Sequence, residues 1–313
     1  MRSRNGNGRM DRTENKIVQL PNGSDAPRRL IDVLGDGDYR PHLFGTPKRG
    51  DVKAWLKYGH VRLRGQIVSQ FDAAVDPGDT VEVNLTRPFP RLAHSRLKIV
   101  YEDEDIIVVN KGYGLLSVGM GSARSVDTAY DILKKYVKSE HPDNKIFVVH
   151  RLDRDTSGLM MFAKSIEAQT AMQHNWNNMV LARTYVAVTE GVMEQDSGYI
   201  RSDLAETSAY EVYSAQNGMG RMAATHYRVL ERGGGYTLVE FSLDTGRKNQ
   251  IRVHAKDLGH PIVGDRKYGA KRSPIHRLAL HARTLRFAHP RTRRDMNFEL
   301  PIPSRFVGLT RHS

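Results

Sequence analysis

No cysteine occurs in the 313 residues. Disulfides, zinc–thiolate centres and thiol catalysis are therefore excluded at the outset. Long apolar runs are also missing: no stretch approaches the ~18 residues that a membrane-spanning helix needs. The opening segment, MRSRNGNGRMDRTEN, has no apolar core of the kind a secretory signal carries. The cytoplasm is the expected compartment, with no membrane partner. Thirteen histidines are present, yet none forms a His-x-x-x-His pair beside a glutamate, so neither a metal nor another cofactor is expected. Acidic residues are in deficit. Lys and Arg number 48 against 35 Asp and Glu, a formal charge of +13. A surplus of that size favours a polyanionic partner, and with membranes set aside that partner is nucleic acid.

The densest polar segment lies between two apolar runs, in Phe147 to Lys164 (FVVHRLDRDTSGLMMFAK). Phe147–Val149 and Leu159–Ala163 read as short buried strands. Gly158 allows the tight backbone between them. The connecting loop carries His150, Arg151, Asp153, Arg154 and Asp155. That much charge beside core strands is costly unless the groups pair with each other or with a ligand, so the loop reads as a site.

Taken in order, the chain divides by composition. Residues 1–26 are polar and Gly/Asn/Arg-rich and are expected to form a disordered basic tail. Residues 27–83 read as a small α+β domain. Its helix carries Val52, Trp55 and Leu56 on one face and stops at Gly59. A hairpin over Val61–Val68 follows, turning at Arg64-Gly65, and Pro77-Gly78-Asp79 leads into Thr80–Val83. Lys48, Arg49, Lys53, Lys57, Arg62 and Arg64 are close enough in sequence to form one phosphate-contacting face. Residues 84–97 have linker composition. In 98–313, strands are expected at Ile99–Tyr101, Ile106–Lys111, Arg183–Glu190, Tyr199–Asp203, Ala223–Leu230 and Tyr236–Leu243. Helices are expected over Thr128–Val137 and Ile166–Met179, the latter capped by Ser165.

HRLDRDTSG resembles the HRLDxxTSG signature of the RluA-type pseudouridine synthases, which isomerise uridine in RNA. Further segments resemble that family in order. Glu102–Leu115 is similar to its EDxxxxVxxKPxGL opening, with Gly112-Tyr113 where the proline would follow Lys111. Arg183–Gly191 is similar to K/R-x-Y-x-A-x-V-x-G. Thr245–His254 is similar to TGRTHQIRVH, with Lys248-Asn249 replacing Thr-His. The segment before residue 84 resembles an S4 RNA-binding domain. The resemblance implies a mixed, mostly antiparallel central sheet with flanking helices, an α+β fold, plus the S4-like domain. It also implies Asp153 as catalytic carboxylate, Arg252 as its cationic partner and Tyr185 stacked on the flipped base. Arg151 would fill the vacated space or grip a phosphate, and Leu280 would line the pocket. Members with an S4 domain imply large-subunit ribosomal RNA as substrate. A monomer is the default state.

Two other readings compete. The chain could be a non-catalytic RNA- or ribosome-binding protein working through its S4-like module, or a metal-dependent hydrolase holding an ion with His150, Asp153 and Asp155. For His150 the plainer alternative is a hydrogen-bonded structural histidine. For Asp155 it is a cap for Thr156 or Ser157, or a pair with Arg154.

Overall fold

The computed structural model describes residues 16–39, 43, 47–119, 127–215 and 218–311. The chain divides into two compact units. The first comprises residues up to Arg91 together with Tyr101–Asp103 and Tyr136–Asn144; the second holds the rest.

In the first unit four strands pair in the order Ile17–Pro21, Thr80–Asn84, Val61–Leu63, Gln66–Ile67. The outermost strand corrects the expected tail. Residues 1–15 lie outside the described ones, but Ile17–Pro21 aligns antiparallel with Thr80–Asn84. The cause is the open edge of Thr80–Asn84, on which Val18 and Leu20 turn inward while Gln19 points out. Leu20, Leu30, Val33, Leu34, Val52, Leu56, Val61 and Val81 share one core. Helix Arg49–Tyr58 starts where the Asp51 carboxylate accepts the Lys48 N–H at 2.8 Å, and it ends at left-handed Gly59. The hairpin turns at Arg64 and Gly65, both at positive φ, as a tight two-residue loop requires.

The second correction concerns Arg62. It is buried at 7% exposure, because the whole of Val61–Leu63 faces protein. Its guanidinium meets Glu82 at 2.7 Å and Glu140 at 3.0 Å and stacks 4.4 Å from the Phe89 ring. Arg62 is a core ion pair, not part of an RNA-facing surface. Arg64 is exposed but held by Asp76 and Asp79. Lys53 and Lys57 lie one helical turn apart, exposed and without a carboxylate partner among the described residues. Phe89, in the expected linker, is buried.

Among the described residues of the chain, eleven strands build one sheet. Its path runs Val212–Ala215, Ser197–Glu206, Arg221–Gly233, Tyr236–Leu243, Val180–Glu190, Leu280–Ala288, Ser157–Ala163, Ile106–Lys111, Leu97–Glu102. Asp295–Glu299 and Phe147–Val148 add at the side. Antiparallel pairing prevails, but Ser157–Ala163 and Leu280–Ala288 run parallel. Every residue of Ser157–Ala163 is buried, as its unbroken apolar run predicts. The fold is mixed α+β, as the resemblance implied. Helices Gln250–Asp257 and Ser304–Arg311 pack on the sheet through Ile251, Ala255 and Phe306. No helix among the described residues is long and apolar enough to cross a membrane.

Helix Ala129–Glu140 forms where one was expected and runs further. The helix expected to reach Met179 breaks at Asn175 into Ile166–His174 and Trp176–Met179. Ser165 caps the first through its hydroxyl, which accepts the Ala168 N–H at 3.1 Å.

Candidate active site

The parallel strand pair fixes the charged loop. Gly158 sits at φ +115°, and a Cβ there would lie 2.1 Å from the Ala282 carbonyl oxygen. Only glycine lets the two strands close at this point. Ser157 Oγ sits 2.8 Å from His281 Nδ1 and accepts from Arg277 at 2.7 Å. Further up the loop, Leu152 N–H donates to Ser117 Oγ, which donates back to the Leu152 carbonyl at 2.6 Å. His150 Nε2 accepts the Met161 N–H at 3.0 Å. Burial, reinforced by the Arg183 charge, pushes its pKa down to about 3, so it is a neutral structural histidine. Asp155 pairs with Arg154 at 3.3 Å.

Lys111 is the residue that sequence reasoning left without a role. Fully buried, it donates to the carbonyls of Gly112, Leu115 and Arg154 at 3.1, 2.8 and 3.0 Å. The last bond ties the strand to the loop directly after Asp153. Burial lowers its pKa to about 8, against the pull of Asp155 and Asp153. Lys111→Met is expected to leave three carbonyls, one of them buried and two partly so, short of a donor and to cost on the order of 2 kcal/mol. It should also lower kcat more than it raises KM, read from denaturant midpoints beside single-turnover rates. Unaltered kcat would mean the loop holds itself.

The loop opens on a cleft of about 630 Å³. Asp153, Arg151, Tyr185, Leu280 and Arg252 all border it, so five residues from four separate segments are brought together. Asp153 is 29% exposed at its side chain and lies 3.8 Å from Arg252 Nη1. Burial pushes the Asp153 carboxyl above the ordinary range, opposed by Arg252, Arg151 and Lys111. Arg151 is exposed on the cleft's lip, and Leu280 is buried in its wall. Tyr185 pairs with Phe241 on one side and Ala282 on the other, beside a register shift after Thr184. Such an irregularity re-aims a strand side chain. Burial raises the Tyr185 pKa, so the phenol stays protonated.

Arg252 departs from expectation in one respect. Its two-donor bond goes to Asp265 at 2.6 and 2.7 Å, not to Asp153. Asp265 is 1% exposed and Arg252 15%. Burial works against the guanidinium charge, but the Asp265 bonds outweigh it and hold the pKa raised. Asn249 accepts a third bond at 3.1 Å, and the Tyr268 ring lies 4.7 Å away. Asn249, at left-handed φ 54°, begins the helix that carries Arg252. Gln250 pins the preceding turn by accepting from Thr245 Oγ1 and the Arg247 N–H. Arg252 is thus clamped from below and presents one remaining edge to Asp153. Sequence order showed Asp265 in a matching segment but could not show this clamp. Trp176 was missed too. The helix break at Asn175 brings it to the cleft, with its ring 5.3 Å from both His150 and the Arg183 guanidinium.

The His150, Asp153 and Asp155 ligand atoms do not converge among the described residues. Their separate engagements leave the metal-hydrolase reading without a centre.

The family profile described as RNA pseudouridylate synthase matches residues 105–257. The ribosomal large subunit pseudouridine synthase D of Pasteurella multocida is 34% identical over 286 residues, covering 85% of this chain and 87% of that protein. An uncharacterized RNA pseudouridine synthase of Bacillus subtilis, YlyB, is 37% identical over 268 residues, covering 83% and 88%. Among solved structures, human RNA pseudouridylate synthase domain containing 4 aligns with a TM-score of 0.55 at 26% identity. That alignment covers 67% of this chain and 90% of that one.

Proposed function

Because this chain belongs to the RNA pseudouridylate synthase family and is an isomerase acting on RNA, we propose that it converts uridine to pseudouridine in large-subunit ribosomal RNA with Asp153 as its catalytic carboxylate. One observation carries the assignment of the residue: Asp153 faces a cleft lined by Tyr185 and Leu280, with the clamped Arg252 at 3.8 Å. The ribosomal target is supported by the relatives, several of which are named ribosomal large subunit pseudouridine synthase D.

The reaction breaks the N1–C1′ glycosidic bond, turns the uracil and joins C5 to C1′; the C5 proton is lost and N1 gains one. Atoms balance without any oxidant or energy source. An ionised, poorly hydrated carboxylate can attack C1′, add to the ring or take a proton, and each role requires deprotonated Asp153. Arg252 supplies the charge that keeps it so. The uridine must leave the stack to reach the cleft; Tyr185 then packs on the ring against Leu280, while Arg151 at the lip grips a phosphate or fills the gap. The enzyme works as a cytoplasmic monomer in this reading. A carbodiimide pseudouridine map of cells with and without the gene tests it. Loss of defined large-subunit sites is expected; an unchanged map with the protein expressed would overturn it.

The first unit is proposed as an S4-like RNA-binding module whose contact face is the exposed side of helix Arg49–Tyr58, not the hairpin. Lys53→Gln with Lys57→Gln should flatten the log–log salt dependence of RNA binding by about 0.9 per contact and leave the melting temperature alone. A slope equal to that of the wild type would remove this face from the interface.

A further inference from the structure

A second groove, of about 710 Å³, adjoins the catalytic cleft and shares Arg252 with it. Arg154 and Asp155 line it on the loop side, directly after Asp153, and Arg266 and Lys267 line it on the other. Arg277 lies in the same lining, its guanidinium 4.6 Å from the Tyr113 ring. The charge balance is one-sided. Asp265 is fully occupied by Arg252, and Asp155 is taken up by Arg154. Among the described residues Arg266, Lys267 and Arg277 form no ion pair with a carboxylate. Arg266 and Lys267 are exposed, and Lys267 donates to the Tyr210 carbonyl. A basic groove with so few carboxylates is electrostatically unfinished; a polyanion would complete it.

We propose that this groove holds the RNA phosphodiester backbone next to the isomerised nucleotide, with Arg266, Lys267 and Arg154 as its phosphate contacts. The inference rests on the isomerase reading of the adjoining cleft. A nucleotide turned out into that cleft stays tethered on both sides, so its neighbouring phosphates must cross the rim. The groove adjoins the cleft at the Asp153–Asp155 loop and shares Arg252 with it, so a strand that leaves the cleft past Arg252 meets these cations. Phosphate contacts position a strand without reading its sequence, so the groove would set the register of the strand and leave choice of target to RNA shape.

The test uses the full chain and oligouridine of about a dozen nucleotides, titrated with salt. Arg266→Gln with Lys267→Gln should flatten the log–log slope by about 0.7 per contact on a single strand and weaken binding on the order of ten-fold. Arg154→Gln should flatten the slope by a further single contact; the Arg154 carbonyl, through which Lys111 holds the loop, is left in place, and the exposed pair with Asp155 is given up. With uncharged methylphosphonate linkages the wild type should lose its advantage over the double variant. An unchanged slope, or an advantage that survives on the uncharged backbone, would overturn the proposal. Binding that depends on these cations, in a protein that leaves ribosomal RNA unmodified, would refute the ribosomal target and leave the groove standing.

Discussion

Asp153→Asn is expected to lower kcat by about 10³-fold or more while RNA affinity stays within a few-fold of wild type. The carboxamide has the shape of the carboxylate, so Tyr185, Leu280 and the lip keep their places; only the negative charge and its basicity go. Single-turnover pseudouridine formation beside filter binding measures both. Activity within ten-fold of wild type would take Asp153 out of the mechanism. A stability gain should accompany the loss. Burial holds the folded pKa of Asp153 above its unfolded value, so the folded chain binds that proton more tightly. That stabilisation is complete below the unfolded pKa and disappears as pH rises through the folded one. At neutral pH the ionised carboxylate is therefore carried at a cost, which asparagine removes. The variant should melt at or above the wild-type temperature at neutral pH and converge with it on acidification.

Arg252→Met should do two kinds of damage that a second substitution can separate. Asp265, 1% exposed, loses both its bonds, and an uncompensated buried charge costs about 3–5 kcal/mol. Asp153 loses the leading influence that opposes its desolvation, so its pKa climbs further. The acidic limb of kcat/KM should then move to higher pH, and the maximum should fall by at least ~10²-fold. Adding Asp265→Asn removes the orphaned charge. Stability should return in large part in the double variant, and activity should not. If activity returned with stability, Arg252 would be a strut for the fold and not the cation that Asp153 needs. Arg252→Lys keeps a charge but not the planar fork that satisfies Asp265 and Asn249 together, and should fall between the two.

Much of this arrangement was legible in the chain. The loop of Asp153 announced itself by charge packed between apolar runs, and Tyr185, Leu280 and Arg252 followed from resemblance segment by segment. What escaped has a common physical cause: each contact is set by how separate elements or turns pack, which local spacing does not show. Arg62 looked like one of a run of surface cations. Its fate was set by Glu82 across the sheet and Glu140, neither of which local spacing can show. Ile17–Pro21 spans too few residues to declare a period, and it becomes a strand only because Thr80–Asn84 offers an edge. Lys111 sits at the end of a strand where a lysine is expected to reach water; the carbonyls of Gly112 and Leu115 in the following turn and of Arg154 in the distant loop hold it inside. Asp265 was visible as a letter in a matching segment, while its grip on Arg252 belongs to the packing of a turn against a helix.

The parallel strand pair also orders events in time. Ser157 and His281 meet although they are 124 residues apart, and closing so long a loop is slow in any chain. During synthesis the Asp153 loop leaves the ribosome well before the strand on which Gly158 rests. Until Leu280–Ala288 has emerged, Ser157–Ala163 has no parallel neighbour, and the cleft has no Leu280 wall. A chain that stops short of Leu280–Ala288 is therefore expected to be inactive, however much of the Asp153 loop has been made. The cleft is completed in one late step, once Leu280–Ala288 has joined Ser157–Ala163.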